Sequence, residues 1–128
     1  MNSNLDVKKW ITEAIDDDCI SYCEHLAQDM VGNKVSSSFL RNIFGEMCRI
    51  EAGGFEKHRT DFVLLRPRLA YACGRLIGRN DSAKEVIDEL QEFYKQCAKE
   101  VENAQHFKNL VSIMEAIIAF RKAVGNDK

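Results

Sequence analysis

The sequence lacks the features that mark secreted, membrane-spanning or nucleotide-binding proteins. It contains no long apolar run, and its N-terminus, MNSNLD, has neither the basic start nor the apolar stretch of a secretory signal. There is no glycine-rich phosphate loop of the P-loop or dinucleotide type, no β-type alternation, no internal repeat and no low-complexity tract. We therefore expect a chain that stays in the cytoplasm and has no membrane partner.

Cysteine and histidine occur in no arrangement that predicts a metal site or a nucleophile. Cys19, Cys23 and His25 lie close together, but no second pair completes a four-ligand zinc site. Free cysteine at helical apolar spacing behaves as a small buried hydrophobe. We expect this of Cys23, Cys48, Cys73 and Cys97. Local spacing gives none of the histidines a serine or cysteine partner. We expect reduced thiols, no metal, no cofactor and no catalytic residue.

Helical periodicity runs through almost the whole chain. The 128 residues, 45% of them apolar and 30% charged, are enough to form one ordinary core. We predict an all-α fold, a compact bundle of about five helices, as a single domain over residues 1–128. Apolar faces begin at Val7, Ile20, Leu40, Val86 and Phe107. Whether the three aspartates at 16–18 divide the first two faces into separate helices stays open.

Capping signals place the starts of two helices. The serines at 36–38 offer an N-cap for the helix that carries Leu40 inward. Ser82 and Glu85 form a capping-box pattern before the helix that carries Val86. These signals predict where the chain turns between helices.

A stripe of arginines lies in residues 64–79, LLRPRLAYACGRLIGR. On a 3.6-residue period Arg68, Arg75 and Arg79 fall within a narrow arc, because separations of seven and eleven residues are close to whole turns. The only proline, Pro67, either kinks a helix that starts near residues 60–61 or lies in the first turn of its helix. Guanidinium groups bind phosphate oxygens in a two-pronged way, so the stripe points to a phosphate-backbone surface.

The distribution of charge indicates one local basic region in an otherwise acidic chain. Residues 34–79 carry nine basic residues (Lys plus Arg) and four acidic ones. Residues 1–33 carry two basic and seven acidic residues, and residues 80–128 carry seven basic and nine acidic residues. Such asymmetry is typical of a chain with one region facing a polyanion, and a solvated helix face explains it equally well. Charge alone makes nucleic acid possible without showing it.

Three blocks resemble the small helical subunit of type III-A CRISPR (Csm) effector complexes. They are SSFLRNIF at residues 37–44, LLRPRLAYACGR at 64–75 and FKNLVSIMEAIIAFRK at 107–122, in the family's order and spacing. The middle block is the most specific, because helix packing alone does not require it. The resemblance covers the chain from about residue 20 onward and says little about residues 1–20, an N-terminal helix whose packing it leaves unspecified.

The resemblance implies a non-catalytic, RNA-binding subunit. In that family, copies of the subunit stack beside the backbone subunits and contact the duplex of guide (crRNA) and target RNA through phosphates, while cleavage and signalling belong to other subunits. The implied partners are thus both RNA strands, the Csm backbone and large subunits, and further copies of the chain. Backbone contacts set register and carry no base information, which suits a complex that reads sequence by base pairing.

Eight basic residues are candidates for RNA contact. Family positions map onto Arg41, Arg68, Arg75 and Lys122. The basic pattern itself adds Arg79, Arg66, Arg49 and Lys34. Most of them lie in residues 36–79, which we predict to be the RNA-facing region.

Other interpretations stay open beside this one. The main alternative is a helical protein–protein adaptor without RNA contact, whose basic stripe docks on an acidic partner surface, and an enzyme is a more distant alternative. Arg68 and Arg75 serve only the fold if they pair with acids such as Glu46, Asp61 or Glu115. We interpret Tyr71 as a packing residue with a satisfied hydroxyl rather than as a base-stacking platform.

Overall fold

A computed structural model describes residues 5–127, which fold into six α-helices. The helices are α1 (Val7–Thr12), α2 (Asp17–Gly32), α3 (Ser38–Gly53), α4 (Arg59–Arg79), α5 (Lys84–Lys99) and α6 (Ala104–Val124). Short 3₁₀ turns at Phe55–His58 and Asp81–Ala83 precede α4 and α5. No strand occurs in the part of the chain that the structure describes. The predicted all-α bundle is confirmed, since five of the helices have substantial length.

Helix α6 is the centre of the bundle. It packs along α2 and also contacts α1 and α3, while α4 lies between α3 and α5. Every α-helix contributes apolar side chains to one buried cluster. The largest of those that are fully buried include Trp10, Leu26, Leu40, Leu65, Phe93 and Phe107. Burying each such side chain contributes roughly 1.5–3 kcal/mol, so the core fixes where α3 and α4 present their outer faces.

The aspartates at 16–18 do separate two helices. Asp16 is the N-cap of α2, and its side chain accepts a hydrogen bond from the backbone N–H of Cys19 at 3.0 Å. This bond lowers the pKa of Asp16, because it stabilises the charged carboxylate. The predicted inward position of Ile20 is wrong, since Ile20 is 37% exposed and Cys19 and Tyr22 are buried instead.

The predicted capping box at Ser82 is also wrong. Ala83 is the N-cap of α5, and Ser82 lies in the preceding 3₁₀ turn, where its hydroxyl donates to Asn80 Oδ1 at 2.7 Å. Ser37 occupies the N-cap position of α3, as the serine run predicts, but its side chain makes no capping bond. Both serines bond elsewhere because tertiary and turn contacts compete with the local cap.

Pro67 lies inside α4, which begins at Arg59 and continues to Arg79. Of the two alternatives, the early start is therefore correct. Proline cannot donate the backbone bond to the carbonyl four residues earlier, that of Val63. Val63 and Pro67 are both exposed, so water can satisfy this carbonyl at little cost.

Four of the five cysteines are buried, and Cys48 is exposed, which corrects the prediction for that residue. Cys48 follows the buried Met47 in α3 and lies on the outer side of that helix. Burial raises the pKa of Cys73 to about 11. Among residues 5–127 no group of three or more potential metal ligands occurs, and none of their helices is long and apolar enough to cross a membrane.

Candidate nucleic-acid interface

Helices α3 and α4 pack side by side and leave a surface groove between them. Buried residues such as Leu40 and Met47 on α3 and Leu65 and Leu69 on α4 hold the two helices in this register. The groove has a volume of about 520 Å³. We call it the arginine groove because it is lined by Arg41 and Arg49 from α3 and by Arg68 and Arg75 from α4.

The groove also contains carboxylates, of which Glu46 is the central one. Its two oxygens lie 2.9 Å from Arg49 Nη2 and 3.6 Å from Arg68 Nη1. The alternative in which Arg68 pairs with Glu46 is thus partly correct, but one carboxylate is shared between two guanidinium groups. Arg49 is 72% exposed and Arg68 47% exposed, so each pair is worth no more than about 1 kcal/mol. Both arginines are available to an anionic ligand.

Arg75 has no carboxylate within 4.0 Å in the part of the chain that the structure describes. The other acids suggested as partners are engaged elsewhere or unpaired there: Asp61 lies 2.9 Å from His58 Nδ1, and Glu115 makes no ion pair among residues 5–127. The guanidinium of Arg75 instead lies over the ring of Tyr71, 5.8 Å from its centroid. Arg75 is therefore the least neutralised cation of the groove.

The interpretation of Tyr71 as a packing residue with a satisfied hydroxyl is wrong, because its side chain is exposed. It is 69% exposed, lines the arginine groove, and its hydroxyl has no hydrogen-bond partner among residues 5–127. On a helix with 100° per residue, Tyr71 lies about 40° from Arg75 on the solvent side. The helical wheel therefore contained a signal for its exposure.

Arg41 is held by the C-terminal segment. Its Nη2 lies 2.9 Å from Asp127 Oδ2, and the same carboxylate accepts hydrogen bonds from the backbone N–H and the hydroxyl of Ser37. Burial alone raises the pKa of Asp127, but the bonds from Ser37 and Arg41, with nearby Arg121, outweigh it and lower the pKa. The contact joins residues 86 positions apart, which no local pattern predicts.

Buried Arg121 supports this segment. It is 3% exposed, and its Nε donates to the carbonyl of Val35 at 2.7 Å while its Nη1 donates to that of Gly125 at 2.9 Å. Gly125 has a φ of 91°, in the region that favours glycine, and ends α6. Arg121 is thus a structural arginine beside the candidate Lys122.

The structure places the other four candidates outside the arginine groove. Lys34 and Arg79 line a separate depression of about 550 Å³ near the end of α6. Arg66 lies on the opposite edge of α4, in a cleft towards α5 that also contains Asp88, Glu92 and Lys95. Lys122 is exposed in the last turn of α6 and lines neither the groove nor the depression.

The fold and the groove define a small all-α protein with an arginine-rich surface between two of its helices. A family model described as Csm2 Type III-A matches residues 13–127. Because this match leaves out only the first twelve residues and the last one, the chain belongs to the Csm2 Type III-A family, the small subunit of the type III-A Csm complex. No curated protein and no solved structure matches the chain.

The family match confirms the resemblance seen in the three sequence blocks. It also begins earlier than expected, at residue 13 rather than near residue 20. Helix α1 lies outside the match, yet its packing is well defined, because Val7, Trp10 and Ile11 are buried against α5 and α6. The chain is therefore a structural subunit of a type III-A CRISPR effector complex, and its first helix, which precedes the matched residues, docks on the core.

Proposed function

We propose that this subunit is non-catalytic and binds RNA through the arginine groove, contacting the phosphate backbone of the guide–target duplex within the type III-A complex. The observation that carries the proposal is the convergence of four arginines from two helices on one groove. Guanidinium groups suit this role because each binds phosphate oxygens with two parallel hydrogen bonds. We assign the cleavage chemistry to other subunits.

The ion pairs inside the groove do not prevent this binding. Exchanging the exposed Glu46 contacts for phosphate contacts costs about 1 kcal/mol or less per pair. Arg75 needs no such exchange, since only the Tyr71 ring lies against it. We therefore expect Arg75 and Arg68 to contribute most, with Arg49 next and Arg41 limited by its contact with Asp127.

Several copies of the subunit along the backbone subunits make this modest surface effective. The whole chain has a net charge of −2, and one groove offers only a few phosphate contacts, so one free copy binds weakly at physiological salt. Copies fixed on a scaffold convert later contacts into intramolecular ones with a high effective concentration. Lys34, Arg66, Arg79 and Lys122 remain candidates for contacts outside the groove.

A mobility shift of the purified chain on RNA tests the proposal. At low salt the chain should shift single-stranded RNAs of unrelated sequence about equally, and likewise guide–target duplexes of unrelated sequence. Binding should fall steeply as salt rises, because phosphate contacts release counterions. The protein–protein adaptor predicts a different result: association with other Csm subunits and no RNA shift at any salt concentration.

A further inference from the structure

We propose that Tyr71 is a base-stacking residue, and that the arginine groove takes an unpaired RNA base on this ring while its arginines hold the flanking phosphates. The inference rests on the proposed function and adds to it a contact with a base rather than with the backbone alone.

Tyr71 differs from the other tyrosines in its position. The other two tyrosines, Tyr22 and Tyr94, are buried in the core, and the hydroxyl of Tyr22 donates to Glu89 at 2.7 Å. Tyr71 is 69% exposed, so its ring contributes little of the folding free energy that burial of an aromatic side chain provides. A large exposed ring in a charged groove has no role in packing this chain, and it is available to a ligand.

Positive charge flanks the ring of Tyr71 on both sides along α4. Arg68 and Arg75 lie three residues before and four residues after Tyr71, about one helical turn away on each side. They are about 10 Å apart along α4, at 1.5 Å per residue. An RNA strand that places phosphates on both arginines therefore passes over the ring. The guanidinium of Arg75, 5.8 Å from the centroid, also holds the ring by a cation–π contact.

Two glycines lie on the exposed side of α4 beyond Tyr71. Gly74 and Gly78 follow Tyr71 on the exposed side of α4, and a Cβ added at either meets no atom within 4 Å. Glycine inside a helix destabilises the helix relative to alanine, and no contact among residues 5–127 requires it at these positions. Gly74 lies about one helical turn after Tyr71, so no side chain at that position obstructs a flat nucleobase that approaches the ring.

The ligand must be an unpaired base. Bases within a duplex stack on their neighbours and do not expose a face, whereas bases at ends, in bulges or in single strands can stack on an aromatic side chain. Stacking tolerates any sequence because every base has a π-face. The proposed contact is thus compatible with sequence recognition by base pairing.

Three variants of Tyr71 test the inference on single-stranded RNA and on a duplex of the same length at low salt. Tyr71→Ala should weaken single-strand binding about tenfold, because it removes one base–aromatic stack, and should leave the salt slope and duplex binding unchanged. Tyr71→Phe should bind like the wild type, and Tyr71→Leu should bind like Tyr71→Ala. Unchanged thermal midpoints will show that the fold is intact, as expected for an exposed side chain. RNA substituted with iodouridine should form a photo-crosslink to Tyr71.

Several results overturn the inference. Unchanged single-strand binding by Tyr71→Ala, together with loss of binding by an Arg68→Ala/Arg75→Ala variant, refutes stacking and leaves the proposed phosphate contacts intact. Equal weakening by Tyr71→Phe and Tyr71→Ala refutes stacking in favour of a role for the hydroxyl. Weaker association of Tyr71→Ala with other Csm subunits, with RNA binding unaffected, assigns the ring to a protein partner. If the wild-type chain binds no RNA at all, both the inference and the proposed function fail.

Discussion

Removing two arginines from the groove should weaken RNA binding without unfolding the protein. The variant is Arg68→Ala/Arg75→Ala, chosen because these residues lie on one helix and neither is buried. Arg68 makes one exposed contact with Glu46 at 3.6 Å, and Arg75 makes one cation–π contact with Tyr71. Each contact is worth no more than about 1 kcal/mol at an exposed site. The loss is small against the stability of an ordinary domain, about 5–15 kcal/mol.

The size of the RNA effect follows from counterion release. Each phosphate contact on a single strand contributes about 0.7 to the slope of log K against log salt concentration, so losing two contacts lowers the slope by about 1.4. Between about 0.05 and 0.2 M salt, the affinity advantage of the wild type should then shrink about sevenfold. The weakening should be nearly equal for unrelated sequences, because backbone contacts carry no base information.

A salt titration of binding by fluorescence anisotropy measures this slope. The matched control is Lys95→Ala/Lys108→Ala, which removes the same charge from exposed positions on α5 and α6 outside the groove. The control should change the slope far less. An unfolded double arginine variant, or one that binds with the wild-type slope, would show that Arg68 and Arg75 do not contact phosphate.

Three further predictions concern the rest of the molecule. A chelator and a reductant should leave the thermal midpoint unchanged, because the protein needs neither metal nor disulfide; stoichiometric zinc in a purified sample contradicts this. Asp127→Asn should cost about 1–2 kcal/mol of unfolding free energy and tighten RNA binding by releasing Arg41, as measured by denaturation and anisotropy. Because folding lowers the pKa of Asp127, its contribution is complete above the unfolded pKa of about 4 and is lost as the pH falls through the folded value. Gly45→Ala should raise the thermal midpoint by a few degrees, since the added Cβ meets no atom, whereas Gly53→Ala should not, since its Cβ would lie 2.6 Å from His58 Nε2.

Two results would contradict the last two of these predictions. Wild-type stability of Asp127→Asn at neutral pH would show that the C-terminal contact does not stabilise the fold. A higher midpoint for Gly53→Ala than for Gly45→Ala would show that His58 moves aside at no cost despite its contact with Asp61.

Periodicity predicted the elements of the fold because each helix buries one continuous apolar face. It also placed Arg68 and Arg75 together, since both lie on one helix and their spacing is close to whole turns. It could not place Arg41 and Arg49 beside them, because the packing of α3 on α4 decides that contact. The same limitation explains why Arg79, on the same arc, lines a different depression one turn further along.

The wrong predictions share a physical cause. Ser82, Ile20 and Cys48 were assigned from local patterns alone, whereas the folded chain places Ser82 in a 3₁₀ turn and leaves Ile20 and Cys48 exposed on the outer sides of α2 and α3. Tyr71 was assigned to packing because aromatic rings are usually buried, although its position on the helical wheel indicated exposure. The contact of Asp127 near the C-terminus joins it to Arg41, 86 positions earlier in the sequence, and has no local signal.

The most direct test of RNA binding by a scaffolded array compares the free chain with the reconstituted type III-A assembly on the same RNA. At about 0.15 M salt the free chain should bind weakly, and the assembly should bind tightly in a way that depends on Arg68 and Arg75 of each copy. Affinity should also rise with the length of the RNA. Tight binding of a short oligonucleotide by the free monomer would contradict the account, as would an assembly whose RNA affinity does not change when both arginines are replaced.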